Sequence, residues 1–67
     1  MLKTSMTVDF DGQLHEIDRR LTVARLLEMF QLSREAHLVT SNGTLVTEDH
    51  MLDRNDRVRI VRVISGG

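Results

Sequence analysis

A chain of 67 residues with no cysteine has room for one small domain, in which about 60% of the unfolded surface is buried on folding, and it can hold neither a disulfide nor a thiolate metal site. Nine basic residues against ten acidic ones leave a formal charge of −1, which excludes the basic field that nucleic-acid binding requires, and Phe10 and Phe30 are too few aromatics to stack on bases. No apolar run approaches the ~18 residues of a membrane span, and Met1-Leu2-Lys3-Thr4 lacks the apolar segment of a signal peptide, so the expectation is a cytoplasmic protein with no membrane partner. A core and a catalytic cleft do not both fit in a chain this short, which argues against a stand-alone enzyme.

Met6, Val8 and Phe10 alternate with Thr7 and Asp9, the period of a strand with one buried face. Asp11-Gly12 is a turn pair that accepts positive φ, and Gln13 to Asp18 reads as the returning strand of a hairpin. Asp9-Phe10-Asp11-Gly12 is not a calcium loop: such a loop has glycine at about its sixth position and glutamate at about its twelfth, whereas here the twelfth residue is Arg20. Thr22 is placed to cap a helix, with Leu21 and Leu26 at the two ends of a hydrophobic staple, although Arg25 stands where a capping box has glutamate. Val23, Leu26, Leu27 and Phe30 then form one apolar stripe, while Arg25 and Glu28 face water. Gln31 to Glu35 is a connector without a glycine cap.

Leu38 to Ser41 reads as a strand, Asn42-Gly43 as a second tight turn, and Thr44 to Val46 as a short return. The polar stretch from Thr47 to Asp56 surrounds Met51 and Leu52, which are expected to plug the end of the core before Asn55-Asp56 turns into the last strand. No repeat or low-complexity segment is present.

This order predicts an α+β domain over residues 1–64: a mixed sheet of four to five strands with one main helix on one face, the last strand lying beside the first by a right-handed crossover. Residues 65–67, Ser-Gly-Gly, are expected to be a flexible tail. Alternation along the last strand places Val58, Ile60, Arg62 and Ile64 on the helix side, and Arg57, Arg59, Val61 and Val63 on the outer side. Two outward valines beside the tail suit a docking patch, or serve strand propensity alone.

One helix carrying Val23-Ala24-Arg25-Leu26-Leu27, a final strand opening at Asp56, and the ending Val63-Ile64-Ser65-Gly66-Gly67 resemble the small ubiquitin-like sulfur carriers of the ThiS/MoaD family over the whole chain. The resemblance implies a β-grasp fold and no catalytic side chain. It implies that a ThiF/MoeB-like, ATP-dependent enzyme adenylates the Gly67 carboxylate, and that sulfur from a sulfurtransferase or cysteine desulfurase converts it to a thiocarboxylate for a downstream sulfur-accepting enzyme. The carrier would bind no cofactor, ATP and the sulfur source being used by its partners. Ser65 and Gly66 would thread the activating enzyme's channel, where a Cβ would collide, and Val61 and Val63 would dock on that enzyme with Arg57 and Arg59 at the rim. The ending is similar to those of carriers serving thiamine synthesis and tRNA thiolation.

Two other functions fit the same residues: a modifier joined through Gly67 to lysine, and a binding-only domain that does not use its carboxylate. Lys3 is the single lysine, which leaves almost no site for building chains on itself. His15, His37 and His50 lack metal-ligand spacing and are expected to be ordinary surface or hairpin histidines. Glu48, Asp49 and Asp53 read as solvated loop acids, and Arg19-Arg20 is too short for a nucleic-acid patch.

Overall fold

In the computed structural model, which describes residues 5–63, both tight turns close as the sequence dictates. Asp11 and Gly12 have φ of +55° and +77°, and Asn42 and Gly43 +53° and +84°, the paired positive values of type I′ turns whose twist matches that of the strands they join. The first turn links β1 (Met6–Phe10) to β2 (Gln13–Ile17), with Met6 opposite Ile17 and Phe10 opposite Gln13.

The chain next makes a two-residue strand, β3 (Leu21–Thr22), and enters α1 (Val23–Met29). Thr22 caps this helix, its Oγ1 accepting the Arg25 N–H at 3.2 Å, and both ends of the staple, Leu21 and Leu26, are buried. The helix ends without glycine. Gln31 takes φ of +59°, its N–H donates to the Glu28 carbonyl at 3.0 Å, and the Leu32 N–H donates to the Leu27 carbonyl at 2.9 Å. These two bonds make a Schellman motif with glutamine in the left-handed position. Phe30 is the cap residue and is only partly buried; its ring meets Phe10 edge-on at 6.1 Å and His15 at 4.9 Å. It closes the margin of the core, where the apolar stripe had placed it within the core itself.

β4 (His37–Ser41) and β5 (Thr44–Val46) flank the second turn, followed by β6 (Met51–Leu52) and β7 (Arg57–Arg62). β6 pairs with β3, which explains why only half of the expected plug enters the core: Leu52, opposite Leu21, is fully buried, while Met51, opposite Thr22, remains 47% exposed. The main sheet has the order β2-β1-β7-β4-β5, with β1 and β7 parallel and the other pairs antiparallel. The last strand is therefore central, as expected. Val58 and Ile60 point inward with Met6, Val8 and Val39 to meet Val23, Leu26 and Leu27 of the helix.

The start of β7 is fastened to the β4–β5 turn. Asn42 Nδ2 donates to Asp56 Oδ1 at 3.1 Å, Asn42 Oδ1 accepts the Arg57 N–H at 3.0 Å, and the Asn42 N–H donates to the Arg57 carbonyl at 2.7 Å. The Asp53 N–H donates to Asp56 Oδ2 at 2.8 Å. That backbone hydrogen bond, aided by the side chains of Asn42 and Ser41, holds the Asp56 carboxyl below its ordinary value against a smaller opposing effect of burial.

Candidate functional site: the outer face and end of the last strand

Alternation along β7 fixes what each side chain faces. Val58 and Ile60 are buried, and Arg57, Arg59 and Val61 are exposed on the side of the sheet opposite the helix. Beyond the strand, the Val63 N–H donates to the Ala36 carbonyl at 2.8 Å, so pairing continues one residue past β7, and Val63 is 38% exposed. Arg57, Arg59, Val61 and Val63 thus lie along one strand and its immediate extension. Ser65, Gly66 and Gly67 lie outside the described residues.

The sheet adds residues to this face that the sequence reading did not single out. Leu38 of β4 stands directly opposite Val61 and is 47% exposed; Thr40 stands opposite Arg59, and Leu45 of β5, 60% exposed, stands opposite Thr40. Leu38, Leu45 and Val61 form an apolar patch beside the end of β7. The signal that finds them is register: Ser41 opposite Thr44 across the second turn, and Val39 opposite inward Ile60, force Leu38 and Leu45 outward. Across β7, Asp9 reaches Arg59 at 3.8 Å, an exposed pair of little energetic weight, and Leu14 stands beyond it opposite Asp9. Arg57 makes no ion pair among the described residues.

Of the three histidines, His37 departs from the surface role expected of it. It is buried at the start of β4, its ring 5.9 Å from Phe10; Nδ1–H donates to the Ser33 carbonyl at 2.9 Å, and Nε2 is enclosed without a hydrogen-bond partner among the described residues. The cause is strand phase: with Val39 inward opposite Ile60, His37 must also point inward, opposite Arg62. Arg62 itself is exposed. His15 packs on Phe30, and His50 is exposed, its carbonyl accepting the Val23 N–H at 3.0 Å.

The acidic side chains of the loops are engaged with their neighbours. Glu48 pairs with Arg34, Asp53 with Arg20 at 2.7 Å, and Asp49 accepts the Thr47 hydroxyl at 2.6 Å, which draws the Asp49 carboxyl below its ordinary value. Among the described residues, no three His, Asp or Glu side chains gather as metal ligands, and no helix is long and apolar enough to cross a membrane.

What this arrangement presents is a sheet face and a strand end. The sequence model of small archaeal modifier protein 2 matches residues 4–64. The chain belongs to that family. The match stops short of Ser65, so it bears on the domain and not on the three residues that follow. Solved structures agree on the fold: the thiamine biosynthesis protein ThiS from Geobacter metallireducens superposes with a TM-score of 0.65 at 22% identity, over 92% of this chain and 100% of that one. No curated protein sequence matches significantly. The family match makes the chain a relative of small archaeal modifier protein 2, and the likeness to ThiS shows a β-grasp fold.

Proposed function

We propose that the chain is a sulfur carrier whose reacting group is the Gly67 carboxylate. A carboxylate is a poor electrophile, so an ATP-dependent enzyme of the ubiquitin-activating type first joins it to AMP, releasing pyrophosphate. The outer sulfur of a persulfide then displaces AMP to form an acyl disulfide, and a thiol cleaves its S–S bond, leaving a disulfide behind and a thiocarboxylate on Gly67 that donates sulfur to a downstream enzyme in a thiamine-type cofactor synthesis or in tRNA thiolation. The carrier contributes no catalytic side chain. Val61 and Val63 dock on the activating enzyme with Arg57 and Arg59 at the rim, and Ser65 and Gly66 lead Gly67 to the nucleotide.

The observation that supports this reading most is the placing of β7. It is the central strand, its start is clasped by Asn42 and Asp56, and its extension is pinned at Val63 four residues before Gly67. A central strand that leads directly to Gly-Gly gives a partner a fixed surface beside a short lead to the reacting atom. The family's description as a modifier favours a second reading, in which the activated Gly67 passes to a lysine amine.

The test is the intact mass of the chain isolated from its own cells, with fragmentation to localise any change. Localisation is essential because exchanging one oxygen for sulfur has the same nominal mass as oxidising one of the four methionines. Sulfur on the Gly67 fragment supports the carrier. A Gly67 fragment linked to another protein's lysine supports the modifier. A chain that ATP and candidate activating enzymes leave unmodified refutes both.

A further inference from the structure

We propose that the groove between α1 and the free edge of β5 receives an extended peptide of a partner protein. The peptide joins the main sheet beyond β5 as a further strand, sets aliphatic side chains in the groove and meets Asp49 with a lysine or arginine. This surface lies on the helix side of the sheet and does not depend on the Gly67 reading.

β5 is an edge of the five-stranded sheet, paired with β4 alone. In a hairpin closed by a two-residue turn, the residues flanking the turn exchange both backbone hydrogen bonds, and the bonding then skips every second residue. Here Ser41 and Thr44 flank the turn, so Val46 bonds to Val39, and the N–H and C=O of Leu45 point away from β4. No turn or loop bond takes up either group among the described residues. Edge strands are commonly closed to partners by a charged side chain, a proline or a bulge. Thr44-Leu45-Val46 has no charge and no proline, and it pairs with β4 without a bulge. A free N–H and C=O on such an edge are matched by the backbone of another strand.

One residue offers a single pair of main-chain bonds, so side chains must complete the hold. Beside the edge, a groove of about 330 Å³ is lined by Val23 and Leu27 of the helix, Val39 of β4 and Val46 of β5. Arg34 and Glu48 also line it and pair with each other, so neither presents an unanswered charge to an occupant. Alternation sends every second side chain of an added strand to the helix side, where aliphatic groups suit these walls. Asp49, three residues past Val46, is exposed and makes no ion pair among the described residues, so a cation on the peptide complements it. The opposite edge differs: on the helix side of β2, His15 packs on Phe30 and Ile17 belongs to the core, so the chain fills that space itself.

The probe is the peptide acetyl-Lys-Val-Thr-Val-Thr-Lys-amide, with analogues carrying isoleucine or leucine at both valine positions, added to the isotope-labelled full chain and followed by amide NMR. Expected are shifts of the Leu45, Val46, Val39 and Leu27 amides, slowed hydrogen exchange at Leu45, and unmoved amides along β2. Leu45→Pro removes the outward N–H, which the sheet does not use, and should weaken binding about fivefold, the factor that one lost hydrogen bond corresponds to. Asp49→Asn should weaken binding at low salt and by much less at high salt. Where circular dichroism shows Leu45→Pro to be unfolded, two alternately N-methylated peptides take its place. The form blocked on the side facing β5 should lose binding to the wild-type chain, and the form blocked on the far side should keep it. Equal binding by both forms overturns strand addition. The inference also falls if no analogue shifts these amides at about 1 mM, or if the shifts are confined to Leu38 and Val61 on the outer face. Dilution of the chain alone that moves the Leu45 amide would assign the edge to a second copy and overturn it as well.

Discussion

Replacing Asn42 separates the two tasks this residue performs. Its backbone takes φ of +53° in the β4–β5 turn, and its side chain both donates to Asp56 and accepts from the Arg57 N–H. Asn42→Gly keeps the turn and removes the clasp. Two side-chain hydrogen bonds at about 1 kcal/mol each, discounted because Asn42 is exposed, give an expected loss of about 1–2 kcal/mol. Asn42→Ala removes the clasp and also forces a Cβ-bearing residue without a polar side chain into the left-handed region, adding about 1 kcal/mol. For a domain this size, 1 kcal/mol moves Tm by about 4–8 °C, so thermal unfolding followed by circular dichroism resolves the series. The pH dependence carries a second signature. The Asp56 carboxyl is held below its ordinary 3.8, so the stability it contributes is fully present above that value and is lost as pH falls through it toward the lower folded value. The gap between wild type and Asn42→Gly should therefore be wider at neutral pH than near pH 3, the value at which an ordinary carboxyl is largely protonated, as about one unit below its pKa requires. An Asn42→Gly variant as stable as wild type, with the same acid sensitivity, would refute the clasp.

Three further expectations follow from the same structure. Phe30→Ala should cost about 2–3 kcal/mol in equilibrium unfolding, below the 3–5 of a fully buried aromatic, because the ring is partly exposed at the helix cap; a loss under about 1 kcal/mol would remove it from the core margin. Gln31→Gly should stabilise by about 0.5–1 kcal/mol, as relief of the left-handed backbone outweighs the entropy that glycine gains in the unfolded chain; a fall in Tm would show that the glutamine side chain contributes something its backbone position does not reveal. Val61→Asp combined with Val63→Asp should leave Tm within a few degrees of wild type, both being exposed, and slow adenylation; unchanged rates would take both residues out of the docking face.

How much of this was legible depends on how many residues carried each signal. The turns at Asp11-Gly12 and Asn42-Gly43 and the cap at Thr22 are local chemistry, and all three stand where the sequence puts them. The two faces of β7 follow from a strand long enough to show its period. β3 and β6 are not legible in the sequence because two residues carry no period; only their pairing makes them strands. The helix end reads as a connector in the sequence because its left-handed residue is glutamine, and the motif is visible only in the bonds from Gln31 and Leu32. β4 misled in a more instructive way. Leu38 and Val39 are adjacent and both apolar, so composition does not say which points inward, and register against β7 settles it in favour of Val39. That one choice buries His37 and Ser41 and exposes Leu38, so the misplaced histidine and the overlooked part of the candidate site have the same origin.

The division between anchored strand and terminal residues makes Gly66→Ala the sharpest single substitution for the proposed chemistry. Gly66 lies outside the described residues; among those, the core is built from Met6 to Ile60, and the extension of β7 is bonded at Val63. With residues 65–67 expected from the sequence to be a tail, adding a methyl group there should change unfolding free energy by less than about 0.5 kcal/mol, the usual range for a surface substitution. Activation should respond very differently. If Gly67 reaches a nucleotide through a passage fitted to glycine, a Cβ at the penultimate residue either collides with the walls or narrows the φ values available to the chain. The expected result is a fall in kcat/KM for ATP–pyrophosphate exchange with Tm unchanged. Because docking lies on the sheet face in this view, binding of the unreacted chain to the enzyme, measured without ATP, should fall much less than the rate. Normal exchange by Gly66→Ala would mean that the activating enzyme leaves room around the tail, and the requirement for glycine would then have to be sought in a later step.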